Sequence, residues 1–157
     1  MVIDGQIAFV GSHQQAREQA IGIAATRAEP NVDLIAVASR NDGTRRFNVH
    51  VGKLIEDGQE DAAEVWLAIT EAGLHSDVKG GENAGKTLQH SSVLRSLHKL
   101  GVARGNTDVA FAAPAPVKPK SSWNQDNLRV AVFVQEKKTL RIVGAASTKF
   151  ANKAASP

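Results

Sequence analysis

Apolar positions along the chain change their period as it proceeds, and each change marks an element. Val2-Ile3 and Ile7 to Val10 flank Asp4-Gly5, a dipeptide that favours a tight primed turn, so residues 1–10 read as a short hairpin. Ser12 with Gln15 three residues on has the spelling of a capping box. Ala16, Ala20, Ile23 and Ala24 then recur at helical spacing and predict a helix from about 13 to 27, closed before Pro30.

After Pro30 the period becomes two. Val32, Leu34, Ala36 and Ala38 share one face, "NDG" at 41–43 turns the chain, and Phe47, Val49 and Val51 alternate with polar residues. Residues 53–61 form a polar connection, and Val65, Leu67 and Ile69 alternate again. Residues 129–135 and 139–144 make a late hairpin around Glu136-Lys137-Lys138. Strands joined by such short turns point to an antiparallel sheet or sandwich, so the expected fold class is α+β, mainly β. Residues 91–101, "SSVLRSLHKLG", fit a helix and a strand equally well. The three prolines in 113–123 require an extended surface loop, and the small polar tail after Phe150 frays. The expected division is a hairpin-and-helix unit over 1–29, a β domain over 30–150 and a tail over 151–157.

Composition narrows the chemistry. The chain has 157 residues, enough to bury a core, but only 4% aromatics, so that core rests on Val, Leu, Ile and Ala. Cysteine is absent, which removes thiolate nucleophiles and Cys-based metal sites. The net charge is +3 with the basic residues scattered, so nucleic acid is not an expected partner. No apolar run approaches the roughly 20 residues of a membrane span, and the first residues lack the basic n-region of a secretory signal.

One motif demands a decision. "GGENAGKT" at 80–87 spells a P-loop, which cradles phosphates only when a buried parallel strand runs into it and a helix follows. Here the preceding strand ends near Thr70, the rest of the chain supplies antiparallel hairpins, and Glu82 would sit inside the cradle. The segment is therefore expected to bend between antiparallel strands.

Read with its neighbours, the stretch resembles the bacterial family called domain of unknown function 1223. The resemblance lies in Val65-Trp66-Leu67, Gly81-Glu82-Asn83, Gly85-Lys86, Leu88 and Val93-Leu94-Arg95-Ser96-Leu97, with the late "VAVFVQ" and "IVGAAS" as closing strands. It implies that complete members are exported and carry a thioredoxin-like first half with a Cys-x-x-Cys. It also implies that "MVIDGQIAFVGSHQQAREQAI" is similar to the last strands and helix of that half, and that this chain is the C-terminal part of the family pattern. The compartment of this chain stays open.

Glu82, Asn83, Lys86, His90 and Arg95 are the candidate ligand-binding residues, polar and close in sequence. The competing structural reading has Glu82 and Asn83 bonding their own loop, Gly85 permitting a tight turn, and Arg95 pairing with Glu82. His50, His75, His90 and His98 lack ligand-like spacing, and Ser91-Ser92 beside His90 lacks a nucleophile elbow. Trp66 is expected on the outer side of its sheet and Trp123 to pin the proline-rich loop.

Together these readings give a non-catalytic binding or scaffold module with no cofactor, and with no catalytic residue or metal site assigned. The N-terminal hairpin and helix pack on the sheet domain or pair with a second copy as a homodimer; a further protein partner stays open. Two alternatives remain: a piece of a thiol–disulfide oxidoreductase-like protein whose Cys-x-x-Cys half lies outside these residues, and a P-loop nucleotide-binding protein.

Overall fold

A computed structural model describes residues 1–10, 12–27, 29–37, 44–54, 62–105, 107–112 and 117–150. The chain opens with β1 (Val2–Ile3) and β2 (Ile7–Ala8), paired antiparallel. Asp4 and Gly5 both take positive φ, 49° and 72°, and Gln6 N–H donates to Ile3 O at 3.1 Å, which is the expected primed turn. Helix α1 (Gln14–Ala25) follows.

The helix corrects two expectations. Its N-cap is His13, without a side-chain cap bond, so Ser12 and Gln15 do not form a capping box; a turn that sends His13 N–H to Val10 O at 2.9 Å sets the start instead. Of the expected apolar face only Ala20 is buried, while Ile23 and its neighbour Ile21 are exposed. Two residues per strand are too few to cover a helix of 12 residues.

Next come β3 (Val32–Val37), β4 (Arg46–Val51), β5 (Ala63–Glu71), β6 (Leu74–Asp77), β7 (Thr87–His90), β8 (Val93–Ala103) and β9 (Val109–Ala112). A 3₁₀ turn at Gln125–Asn127 leads into β10 (Leu128–Glu136), and β11 (Ile142–Lys149) closes the fold. The helix-or-strand ambiguity at 91–101 resolves as strand. Its partner β5 is alternately buried and needs a neighbour for its backbone groups, and that requirement outweighs local propensity. The late hairpin is longer than expected: its second strand starts at Ile142, after a turn in which Leu140 has φ 61°. The expected turn at 41–43, residues 113–116 of the proline-rich loop and the tail lie outside the described residues.

All strand pairs are antiparallel, the strands lying in the orders β11-β10-β5-β8 and β3-β4-β9, with β1-β2 and β6-β7 as separate hairpins. The two larger sheets pack face to face through Phe47, Val49 and Val51 of β4 against Val65, Leu67 and Ile69 of β5 and Val130, Val132 and Val134 of β10. Phe47 and Phe150 stack tilted at 5.8 Å, closing one side of the core. Alternation explains the arrangement: the core-facing residues of β5 and β10 fall two positions apart, so each strand turns one face inward that is aliphatic up to Glu71 at the end of β5.

The opening hairpin docks on the β10–β11 turn. Ile142 N–H donates to Asp4 O at 2.9 Å, and Gln6 Nε2 donates to Thr139 O at 3.3 Å. Packing on the sandwich, one of the two outcomes expected for residues 1–27, is therefore present.

Candidate functional site

Strands β5 and β8 run on past the sandwich as β6 and β7, so residues 74–90 form a two-stranded arm with the Gly-Lys segment at its tip. Val78 N–H donates to Lys86 O at 3.0 Å and Gly85 N–H returns to Val78 O at 2.9 Å, sealing the loop. Inside it, Ala84 N–H meets Gly81 O and Lys86 N–H meets Asn83 O. Gly81 and Gly85 have φ of +79° and +81°, and a Cβ on either would touch nothing within 4 Å. Their glycine requirement is backbone conformation, with no close approach behind it.

This tip is not a phosphate cradle. The amides of Ala84, Gly85 and Lys86 are spent on the loop's own carbonyls. Lys86 Nζ is held by Asn83 Oδ1 at 3.1 Å, Thr87 Oγ1 donates to Asp77 Oδ1 at 2.7 Å, and Thr87 opens a strand. The chain bends between antiparallel strands, as its flanks required.

The five candidate residues divide among three places. Glu82, Asn83 and Lys86 are exposed at the tip, and His90 lies at the arm's base with Nε2 2.9 Å from Ser76 Oγ. Glu82 makes no ion pair among the described residues. Arg95 belongs elsewhere: its Nε donates to Glu71 Oε2 at 2.7 Å, so the expected pairing of Arg95 with Glu82 is overturned. The cause is a bulge. Ile69 pairs with Ser96 and Thr70 with Leu94, which leaves Arg95 as the extra residue, re-aimed at the open end of the sandwich.

There Arg95 completes a polar knot. Glu71 is 2% exposed at the end of the inward-facing series Val65, Leu67, Ile69. Its second oxygen accepts the Asn124 backbone N–H at 2.9 Å, and the Arg95 guanidinium lies over the Trp123 ring at 5.8 Å. The Asn124 amide, followed by Arg95, holds the Glu71 carboxyl below the usual range against the opposing push of burial. Trp123 packs on the core, so it does pin its loop. Glu71, missed in the sequence reading, had a visible signal: a carboxylate in register with apolar inward positions.

A third grouping has Arg141 at 2.6 Å from Glu136, which also accepts from Thr139 Oγ1, at the β10–β11 turn, and two more lie on outer faces. His50 lies between Asp33, at 3.6 Å, and Asp108, at 3.7 Å, on the outer side of the three-stranded sheet. Lys99 Nζ bonds Glu64 at 2.5 Å and stands 5.9 Å from the centre of the Trp66 ring, which places Trp66 on the outer face as expected. The Lys99 bond holds the Glu64 carboxyl below its ordinary value. Among the described residues no set of three or more His, Asp or Glu is arranged to hold a metal ion, and no carboxylate pairs with His90.

The molecule is an antiparallel β-sandwich module with a docked hairpin and helix at one end and a projecting arm at the other. Residues 1–135 match the family described as protein of unknown function (DUF1223), and the chain belongs to that family. No curated protein matches it. Among solved structures it is similar to a domain of the outer membrane lipoprotein Omp28 from Porphyromonas gingivalis, with 19% identity, TM-score 0.42, and 75% of this chain and 86% of that one covered. It is also similar to the sporulation control protein Spo0M from Bacillus subtilis, with 13% identity, TM-score 0.46, and 78% of this chain and 49% of that one covered. A third similar structure is Bacteroides uniformis β-glucuronidase 2, with 14% identity, TM-score 0.33, and 76% and 12% covered.

Proposed function

We propose that this chain is a non-catalytic binding or scaffold module whose N-terminal hairpin and helix meet the same surface of a second copy. One observation carries the reading. Of the eleven large hydrophobic side chains exposed among the described residues, five fall in the first 23 positions: Met1, Val2, Val10, Ile21 and Ile23. Each is at least 51% exposed. Apolar residues collected in so short a segment mark an interaction surface, whereas isolated ones such as Leu88 and Leu140 need no explanation. The strand–strand–helix order of this unit accords with the closing elements of a thioredoxin-like half.

The polar constellations favour a structural role. The Glu71 knot is closed by its own partners, and the tip amides are spent within the loop. Residues Glu82, Asn83, Lys86 and His90 serve as an arm that is presented to a partner.

Sedimentation equilibrium of the chain at tens of micromolar tests the reading. A dimer that Ile21→Glu with Ile23→Glu converts to folded monomer is the expected outcome. A wild-type monomer ends the proposal, as does insulin reduction by the purified chain.

A further inference from the structure

The outer face of the four-stranded sheet carries a second, independent surface. Residues 65, 67 and 69 of β5 and 130, 132 and 134 of β10 point into the core, so Ala68, Arg129 and Ala131 face the other way. Register fixes the layout. Arg129 stands directly opposite Lys149 on β11, and in the same row Thr70 separates it from Leu94 on β8. In the next row Ala131 and Ala68 lead across to Leu97.

Two features of this layout are unpaid by the fold itself. Like charges directly opposite on a sheet destabilise it, yet among the described residues neither Arg129 nor Lys149 has an ion pair. Glu64, a carboxylate of the same face, stands at the far end of β5 opposite Gln135 and is held by Lys99 at 2.5 Å and Lys137 at 3.9 Å. Across the sheet, about 14 Å away over four strands, Leu94 and Leu97 are 54% and 43% exposed, Leu94 beside Thr70 and Leu97 beside Ala68.

From these we infer that this face docks on an anionic lipid surface. The two unneutralised cations meet headgroup phosphates, and the two leucines enter the acyl boundary beside them. A lipid surface fits better than a folded protein for a physical reason. Mobile headgroups gather around a cation pair wherever it lies, and each surface cation multiplies the partition coefficient by roughly five.

Co-sedimentation of the full chain with phosphatidylcholine vesicles, with and without phosphatidylglycerol, tests the inference. Binding is expected only where phosphatidylglycerol is present. Arg129→Gln with Lys149→Gln should lower the partition about thirtyfold. Lys118→Gln with Lys120→Gln removes the same charge from the 117–120 segment and should change it little. Leu94→Ser with Leu97→Ser should weaken binding at constant charge, while circular dichroism confirms each variant folded. Equal losses from both charge pairs overturn the inference, since they show attraction by net charge alone. So does failure to bind phosphatidylglycerol vesicles at low salt. Equally strong capture by soluble polyglutamate, indifferent to the leucines, assigns the face to an acidic protein instead.

Discussion

The N-terminal unit and the sandwich draw on similar residues and end with opposite surfaces. In the sandwich, Val65, Leu67, Ile69, Val130, Val132 and Val134 are at most 1% exposed, because each sheet gives the other a complete apolar face. In residues 1–25 the helix buries Ala20 alone, because a hairpin of two-residue strands offers no such face. Apolar content therefore does not by itself make a core; a partner surface of matching extent does. The unit keeps its place through the Asp4 carbonyl and the Gln6 amide at its turn, and its apolar side-chain surface remains available.

The largest effect that can break this comparison is a truncation on each side of it. Phe150 is 1% exposed against Phe47, and its N–H donates to Leu128 O at 3.0 Å. Phe150→Ala should cost about 3–5 kcal/mol in urea unfolding. Ile23→Ala, at 51% exposure, should shift the unfolding free energy of the monomer by no more than about 0.5 kcal/mol. Equal losses at the two positions would mean that the helix is packed as a core element.

A middle-sized effect sharpens the comparison at the sandwich's open end, where a charged residue takes an apolar register position. Glu71 has a lowered folded pKa, so its contribution is fully present above the unfolded value of 4.5 and is lost as pH falls through the folded pKa. Glu64 and Glu136 are lowered too, by Lys99 and, for Glu136, by Arg141 and Thr139 against the opposing push of burial. The melting temperature should therefore hold steady above pH 4.5 and decline below it. Arg95→Gln should reduce it at neutral pH and shrink the Glu71 share of the acid decline, because with one of the groups that depress Glu71 gone its folded pKa rises toward the unfolded value of 4.5. A melting profile unchanged by Arg95→Gln would show that Asn124 alone holds the carboxylate.

The legible parts of the fold were those governed by local periodicity. The Asp4-Gly5 turn, the alternation on β4, β5 and β10, and the antiparallel bend at the Gly-Lys segment follow from spacing and turn chemistry. What the sequence left open or missed depended on distant partners. Residues 93–103 became a strand because β5 required a neighbour, and Arg95 found Glu71, 24 residues away, because a bulge turned it. A bulge has no spelling in the sequence. The capping box failed for a related reason, since the turn before the helix decided which residue began it.

The smallest effect concerns the arm. Its tip looks chemically loaded in sequence, yet Glu82 is exposed and unpaired among the described residues, and Gly85 is fixed only by its φ of +81°. Gly85→Ala should cost about 1–2 kcal/mol, because a side chain is forced into the left-handed region even with open space around it. Glu82→Ala, one turn of loop away, should change stability by less than about 0.5 kcal/mol, as exposed substitutions without a partner do. Chemical unfolding of both variants beside wild type separates the two. A larger loss from Glu82→Ala would place a partner on that carboxylate and make the tip a closed structural element. The expected near-neutrality leaves Glu82 available to whatever the arm meets.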